Sequence, residues 1–254
     1  GNGDWDSHDH GTHVAGTIAG NSTGANAQYN GVAYNAKLVI QDIGSGGSLI
    51  GIPSNLNTYF QQAYDDGARI HSNSWGSAVA GAYTAFSQDA DEFMWNPKDF
   101  LIVFSAGNSG PGENTVGSPG TAKNIVTSGA SQNAHSGYNQ ENMAYFSSNG
   151  PTDDGRIKPT VAAPGYYISS ANSDWNINTF NSDIRTMSGT SMSAPAHAGS
   201  ATLIRQYFTD GFYPTGLKTP TDSITPSAAL IKAAMVNSAV DMTGDYIDGP
   251  IPST

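Results

Sequence analysis

The sequence predicts an α/β protein of three layers, in which a mostly parallel, doubly wound sheet carries helices on both faces. Short apolar runs alternate with amphipathic stretches along the chain, which is the order that strands joined by crossover helices produce. The run at residues 100–106, Phe-Leu-Ile-Val-Phe-Ser-Ala, shows no polar alternation, as expected of a strand buried on both faces. Because ligands bind beyond the carboxyl ends of parallel strands, the segments that follow the strands are the first places to search for a site.

Length and composition indicate one compact, loop-rich globular domain. The 254 residues are 37% hydrophobic and 12% charged, with 30 glycines and 13 prolines, a composition outside the range of disordered chains. The net charge of −11 disfavours a nucleic-acid partner, because phosphate would be repelled. Cysteine is absent, which excludes disulfides and thiolate metal sites. No apolar run approaches the length of about 18 residues that a membrane-spanning helix needs.

The predicted elements follow in chain order from periodicity. Apolar residues recur at helical spacing in several stretches, and helices are predicted from His10, at 53–68, at 82–95, from Ser191 and at 226–240. Residues 36–43, Ala-Lys-Leu-Val-Ile-Gln-Asp-Ile, are expected to form a buried strand. Further strands are predicted at 69–76, 100–106 and 124–127, with short strands and turns at 144–148, 159–165 and 166–170.

The stretch Gly-Thr-Ser-Met-Ser-Ala-Pro at 189–195 precedes a run of small residues that suits a tightly packed helix. Ser191 would lie at the N-terminus of that helix, where unpaired backbone N–H groups and the helix dipole both favour an oxyanion. A serine in this place is therefore a candidate nucleophile. From this stretch alone, a serine or threonine that only caps the helix is an equal alternative.

His10 and His13 lie on one face at the start of the first predicted helix. The helix dipole disfavours an imidazolium there, which keeps a histidine neutral and able to accept a proton. A general base is one interpretation, and histidines that merely cap or pack the helix are another. Metal binding is a third, because several histidines and carboxylates cluster in the same segment: Asp4, Asp6, His8, Asp9, His10 and His13.

Asn108 lies in the glycine-rich turn that follows the predicted strand at 100–106. Its side-chain amide could donate to a developing oxyanion. Asparagine is also common in turns for its backbone preferences alone, so both interpretations remain open at this point.

Four blocks of the sequence resemble the signature blocks of the subtilisin-like serine proteases, in that family's order. They are His-Gly-Thr-His-Val-Ala-Gly-Thr at 10–17, Asn-Ser-Trp-Gly at 73–76, Ser-Ala-Gly-Asn at 105–108 and Gly-Thr-Ser-Met-Ser-Ala-Pro at 189–195. The resemblance extends from about residue 8 to about residue 240. Within that family, the sequence most resembles the larger alkaline, oxidatively stable bacterial subtilisins.

The resemblance implies a serine endopeptidase that hydrolyses peptide bonds through an acyl-enzyme on Ser191. His10 would be the general base and then the general acid. Asn108 would donate to the oxyanion alongside the backbone N–H of Ser191. Two other functions remain: a non-catalytic pseudoprotease that binds peptides, and a hydrolase of esters or other acyl donors that uses the same serine and histidine.

The resemblance also implies where the substrate lies. Ser74, Trp75 and Gly76 would pair with the substrate backbone as an added strand. The pocket for the residue before the scissile bond would have walls formed by Ser105, Ala106, Gly107 and the segment 116–120, which contains Gly117. No wall position is charged, so we expect a broad preference for apolar or uncharged P1 residues. Pro119 is expected to follow a cis peptide bond, as the matching proline does in the family.

The catalytic aspartate departs from the family pattern. The family's Asp-Thr-Gly or Asp-Ser-Gly segment occurs nowhere in the sequence. Asp4, Asp6 and Asp9 are poor substitutes, because none follows an apolar strand that could bury its carboxylate behind the imidazole. We therefore expect residues 1–254 to be an incomplete catalytic domain, with the aspartate segment missing before residue 1 and the C-terminal end also missing.

Cofactors, partners and localisation follow from the resemblance. No cofactor is expected for catalysis, and structural Ca²⁺ is expected, with ligands that the sequence does not identify. Protein or peptide substrates are the expected partners, together with a propeptide or protein inhibitor, and neither nucleic acid nor a membrane is expected. The family resemblance predicts an extracellular, monomeric alkaline protease.

Overall fold

The computed structural model describes residues 9–45, 48–49, 51–176, 179, 181–244 and 246–247. The helices of this part of the chain are α1 (His10–Ala19), α2 (Leu56–Asp65), α3 (Ala85–Trp95), α4 (Thr190–Thr209) and α5 (Ala228–Ser238). The strands are β1 (Gly44–Ser45), β2 (Ser48–Leu49), β3 (Ile70–Asn73), β4 (Leu101–Ser105), β5 (Val126–Ser131), β6 (Met143–Ala144), β7 (Val161–Pro164), β8 (Ile168–Ala171), β9 (Ile184–Met187) and β10 (Tyr246–Ile247).

Six of these strands form the main sheet, which is mostly parallel as predicted. The strand order is β10-β6-β5-β4-β3, and β7 also pairs with β5. Four pairs are parallel, namely β3 with β4, β4 with β5, β5 with β7 and β6 with β10, and only β5 with β6 is antiparallel within the described sheet. The parallel strands β3 and β4 therefore end at the same edge, which is where the candidate site lies.

Helices cover both faces of the sheet, so the predicted three layers are confirmed. Side chains alternate between the faces of a strand, and His71 of β3 faces α2, where its ring lies 5.1 Å from that of Phe60. Ser128 of β5 points to the opposite face, where its Oγ lies 2.6 Å from Nδ1 of His197 in α4. On that face α1 and α5 pack against α4.

The core is centred on β4, whose residues are buried on both faces. Leu101, Ile102, Val103 and Phe104 are all fully buried. The helix α4 can approach the sheet closely because it presents small residues to it, including the buried Ala194, Ala198 and Ala201. Full burial of each large apolar side chain stabilises the fold by about 1.5–3 kcal/mol. The end of β4 is thus rigidly placed, and the turn that carries Asn108 follows directly from it.

The prediction of a buried strand at 36–43 is wrong. These residues form no strand, and Leu38, Val39 and Ile40 are 42%, 41% and 71% exposed. The segment has no ladder partner, because it does not join β3, the edge strand of the sheet, which pairs with β4 alone within the described residues. The segment contacts β3 through a side-chain hydrogen bond instead, because Nε2 of His71 donates to Oε1 of Gln41 at 2.8 Å.

Smaller differences concern element boundaries and one hairpin. The strand predicted at 124–127 is β5, which runs from Val126 to Ser131. The helix predicted at 53–68 is shorter and ends at Asp65. β8 and β9 form an antiparallel hairpin, of which the sequence predicts β8 but not β9. None of the helices in the described part of the chain has the length and apolar character needed to span a bilayer.

Candidate active site

A cleft of about 290 Å³ opens at the carboxyl ends of β3 and β4. The predicted site residues that line it come from four separate parts of the chain. They are Ser74, Trp75, Gly76, Ser105, Ala106, Gly107, Asn108, Gly117 and Ser191, and the structure adds Ser77, Ala78, Ser109, Thr115 and Thr190. None of these lining residues is charged. The geometry therefore places a hydroxyl, a carboxamide and an uncharged pocket together.

Ser191 is the second residue of α4, as predicted for a serine at a helix N-terminus. It does not cap the helix, because the N-cap residue is Gly189. Its Oγ donates a long hydrogen bond of 3.4 Å to the carbonyl of Ser74. Its own carbonyl accepts a shorter one, of 2.8 Å, from Oγ of Ser74. The hydroxyl is thus weakly held at the cleft, where the first-turn N–H groups of α4 lack helical acceptors.

The side chain of Asn108 is oriented by Thr190. Its Oδ1 accepts hydrogen bonds from both N–H and Oγ1 of Thr190, each at 2.9 Å. The same Oγ1 accepts from the N–H of Gly107 at 3.2 Å. Because the amide oxygen is used in this way, Nδ2 is the end of Asn108 that can donate to a ligand. Sequence reasoning did not single out Thr190, although its place directly before Ser191 was a signal.

The pocket wall is held by pairing between two loops. Ser77 and Ser118 exchange backbone hydrogen bonds of 2.9 and 3.0 Å, and the N–H of Gly117 donates to the carbonyl of Ala106 at 2.9 Å. A Cβ on Gly117 would lie only 2.7 Å from the carbonyl oxygen of Ser77, so this approach requires glycine. The Ser118–Pro119 peptide bond is cis, as predicted.

His10 is the first residue of α1, the helix that packs against α4. Each of the two predicted catalytic side chains thus belongs to the first turn of a helix, and those helices are neighbours. Among the described residues that line the cleft, His10 is absent. Its role as general base stays a prediction.

His13 is buried and holds α1 against the hairpin of β8 and β9. Its Nε2 lies 2.9 Å from the carbonyl oxygen of Ile168 and 3.1 Å from that of Arg185, so this nitrogen carries the proton. Burial lowers the pKa of His13, which keeps the ring neutral. The packing interpretation therefore fits His13.

The metal interpretation gains no support from the described residues. They contain no group of three histidine, aspartate or glutamate side chains that could hold a metal ion. Nε2 of His13 is used by carbonyl groups, and the carboxylate of Asp9 pairs with Arg185. Asp4, Asp6 and His8 lie outside the described residues.

Comparison with known proteins gives a consistent result. The family profile described as "Subtilase family" matches residues 2–250. The serine protease/ABC transporter B family protein tagB of Dictyostelium discoideum is 31% identical in an alignment 320 positions long, which covers 93% of this chain. The serine protease AprX of Bacillus subtilis is 34% identical in an alignment 221 positions long, which covers 80% of this chain. The solved structure of sphericase superposes with a TM-score of 0.69 at 28% identity, over 95% of this chain and 73% of that one.

The relatives are longer than this chain. The matched part is 17% of tagB and 49% of AprX. What the similarity covers is therefore one region of those proteins.

Proposed function

Because the chain belongs to the subtilase family, we propose that it is a serine endopeptidase that cleaves peptide bonds through an acyl-enzyme on Ser191. The observation that carries the proposal is the arrangement of Ser191, Thr190 and Asn108 in one cleft. Thr190 holds the amide oxygen of Asn108, so Nδ2 can donate to charge that develops on an oxygen beside Ser191.

The proposed mechanism uses this chain's own groups. Oγ of Ser191 attacks the peptide carbonyl while His10 takes its proton. The negative oxygen of the tetrahedral intermediate accepts hydrogen bonds from Nδ2 of Asn108 and from the N–H of Ser191. The C–N bond then breaks, and the amine leaves with the proton from His10. In the second half, water attacks the ester carbonyl while His10 takes its proton. The acyl C–O bond to Ser191 then breaks, Oγ takes the proton back from His10, and the carboxylic acid product leaves.

The carboxylate that orients His10 is proposed to come from a segment other than the described residues. Asp9 is poorly suited, because its carboxylate is bound by Arg185 and Trp175. The free side of β3 supports an added strand, because no second strand pairs with β3 within the described part of the sheet. The exposed segment Leu38–Ile40 leads directly to Gln41, whose side chain bonds His71 of β3.

The substrate is proposed to be an extended polypeptide with an apolar or uncharged P1 residue. Ser74, Trp75 and Gly76 follow β3 directly, in a position that suits backbone pairing with a peptide. The uncharged lining of the cleft supports the P1 preference, because a buried charged side chain would find no counter-charge there. Profiling a library of peptides with varied P1 residues tests this preference.

Calcium, inhibitors and localisation stay predictions. Among the described residues, no group of three carboxylate or imidazole side chains could hold a metal ion, so a calcium site there would also use backbone carbonyl or amide oxygens. Thermal unfolding with and without a chelator tests for structural Ca²⁺.

Assay of the culture medium against the cell fraction tests for secretion, and sedimentation tests for the monomer. Inhibition by a co-expressed propeptide tests for that partner.

Labelling with a fluorophosphonate tests the catalytic role of Ser191. The proposal predicts a covalent adduct on Ser191, absent from Ser191→Ala, together with hydrolysis of casein that the same substitution abolishes. A protein that binds peptides but takes up no label would be a pseudoprotease. A protein that cleaves only short-chain esters would be an esterase. Either result would overturn the endopeptidase function.

A further inference from the structure

Asp9 adopts an unusual arrangement at the start of α1. It occupies the N-cap position, where an aspartate commonly accepts a hydrogen bond from the first turn of the helix, yet its side chain makes no capping bond. Its backbone is left-handed, with φ 59°, a conformation that residues with a Cβ adopt at a cost. The residue is only 3% exposed. Its carboxylate is thus buried and directed away from its own helix.

The partner of this carboxylate lies on the strand that leads to Ser191. Nη1 of Arg185 donates to Oδ2 of Asp9 at 2.6 Å, and the indole Nε1 of Trp175 donates to Oδ1. Arg185 belongs to β9, which ends at Met187, two residues before the N-cap of α4. The ion pair therefore joins the residue next to His10 to the segment that places Ser191.

The backbone of Arg185 is held by the same helix. Nε2 of His13 donates to the carbonyl oxygen of Arg185 at 3.1 Å, so α1 contacts Arg185 through both side chain and main chain. The helix also packs very closely on the hairpin of β8 and β9, because a Cβ on Gly16 would lie 2.6 Å from Oγ of Ser170. Two-point attachment of this kind restricts both sliding and rotation of one element on the other.

We infer that the Asp9–Arg185 ion pair is a latch that fixes His10 relative to Ser191. Both are positioning residues, because neither reaches the substrate in the proposed mechanism. At Asp9 this contact replaces a capping hydrogen bond and accompanies a left-handed backbone. Backbone strain and missing local hydrogen bonds of this kind concentrate at functional sites. Small displacements of a base from its nucleophile lower the rate of the chemical step without weakening substrate binding.

The test is a double-mutant cycle with Asp9→Asn and Arg185→Gln in the natural full-length protein. Peptide hydrolysis gives kcat and KM, and fluorophosphonate labelling gives the reactivity of Ser191. Each single variant is expected to lower kcat and the labelling rate about tenfold, with KM unchanged within about twofold. Because the two residues act as one unit, the double variant is expected to lose no more than either single variant. Arg185→Lys should recover part of the loss.

Asp183→Asn is the matched control, because Asp183 is an exposed aspartate next to β9. It should leave kcat unchanged. Losses in the double variant that multiply to about a hundredfold, or a lowered unfolding temperature with unchanged kcat, would overturn the latch. The latch rests on the proposed function, and the two fail differently. A wild-type protein that neither labels nor cleaves refutes the function, whereas an active protein whose latch variants keep full kcat refutes the latch alone.

Discussion

Thr190 holds the side chain of Asn108 by two hydrogen bonds, one from its N–H and one from its hydroxyl, each 2.9 Å long. Thr190 directly precedes Ser191 on α4, whereas Asn108 lies on the turn after β4. The contact therefore joins the two segments that meet at the cleft. An amide donor fixed in advance stabilises a developing oxyanion more than one that must be ordered during the reaction.

Thr190→Val should lower kcat about tenfold with little change in KM. Removal of an oxyanion donor itself costs about 10²–10³ in kcat, a magnitude measured in subtilisin, a member of this same family. The valine variant keeps the backbone N–H that bonds Asn108, so the expected loss is smaller. Steady-state hydrolysis of a peptide substrate measures it. Thr202→Val is the control, because among the described residues that hydroxyl bonds only the carbonyl of Ala198, in its own helix. Equal losses in the two variants would contradict the orienting role.

Gly117→Ala should open the pocket wall. The new Cβ would lie 2.7 Å from the carbonyl oxygen of Ser77, too close for the paired backbones of Ser77 and Ser118 to stay in place. We expect a loss of stability of about 1–3 kcal/mol, typical of overpacking, and a raised KM for peptides. Urea unfolding and peptide hydrolysis measure the two effects. Gly112→Ala is the matched control, since its Cβ would meet nothing nearer than 3.8 Å. An unchanged KM in the Gly117 variant would exclude this wall from the P1 pocket.

Lys158 is buried, and no carboxylate of the described residues bonds its ammonium. Its Nζ donates to the carbonyl of Ala122 at 2.5 Å and to Oγ1 of Thr127 at 2.6 Å. Burial, aided by the positive charges of Lys232 and Arg156, lowers the pKa of Lys158 to about 7. Between that pH and the ordinary lysine pKa of about 10.4, the unfolded chain binds one proton more than the folded chain. Stability contributed by this group must therefore rise with pH across that window.

Lys158→Met should remove this pH dependence. The stability of the wild type relative to the variant should rise by roughly 1.4 kcal/mol per pH unit above about pH 7, because the buried charge is lost there. Urea unfolding of both proteins at pH 6.5, 8 and 9.5 measures the difference, and Lys37→Met on the exposed segment is the control. A constant difference between wild type and Lys158→Met over this range would show that Lys158 does not titrate there.

Much of the fold was predictable because burial and periodicity are local properties. The unbroken apolar run at Leu101–Ser105 could only be a central strand, and glycine and small residues marked the ends and packing faces of helices. The strand prediction at 36–43 failed because apolar side chains indicate a tendency to be buried, but do not indicate whether a neighbouring strand is present to pair with. The strand Ile184–Met187 has an exposed arginine and threonine at its centre, so its pattern resembled a loop.

Many of the residues that line the cleft were predictable from the motifs, but their contacts were not. The motifs indicated Asn108, Ser191 and the pocket segments, and the structure brings these into one cleft. The hydrogen bonds from Thr190 to Asn108 span 82 residues of sequence, and the pair of Asp9 with Arg185 spans 176. Such partners depend on how elements pack, which no local pattern encodes.

The uncovered side of β3 has a consequence for handling the protein. An edge strand with unpaired N–H and C=O groups is a template for pairing with another chain; β3 is such an edge within the described residues, and the chain also exposes the apolar side chains of Leu38, Val39 and Ile40. The protein should associate through this edge as its concentration rises and should deposit as β-rich aggregate. Ile40→Lys should delay that deposition, since a charge in an exposed apolar segment opposes aggregation.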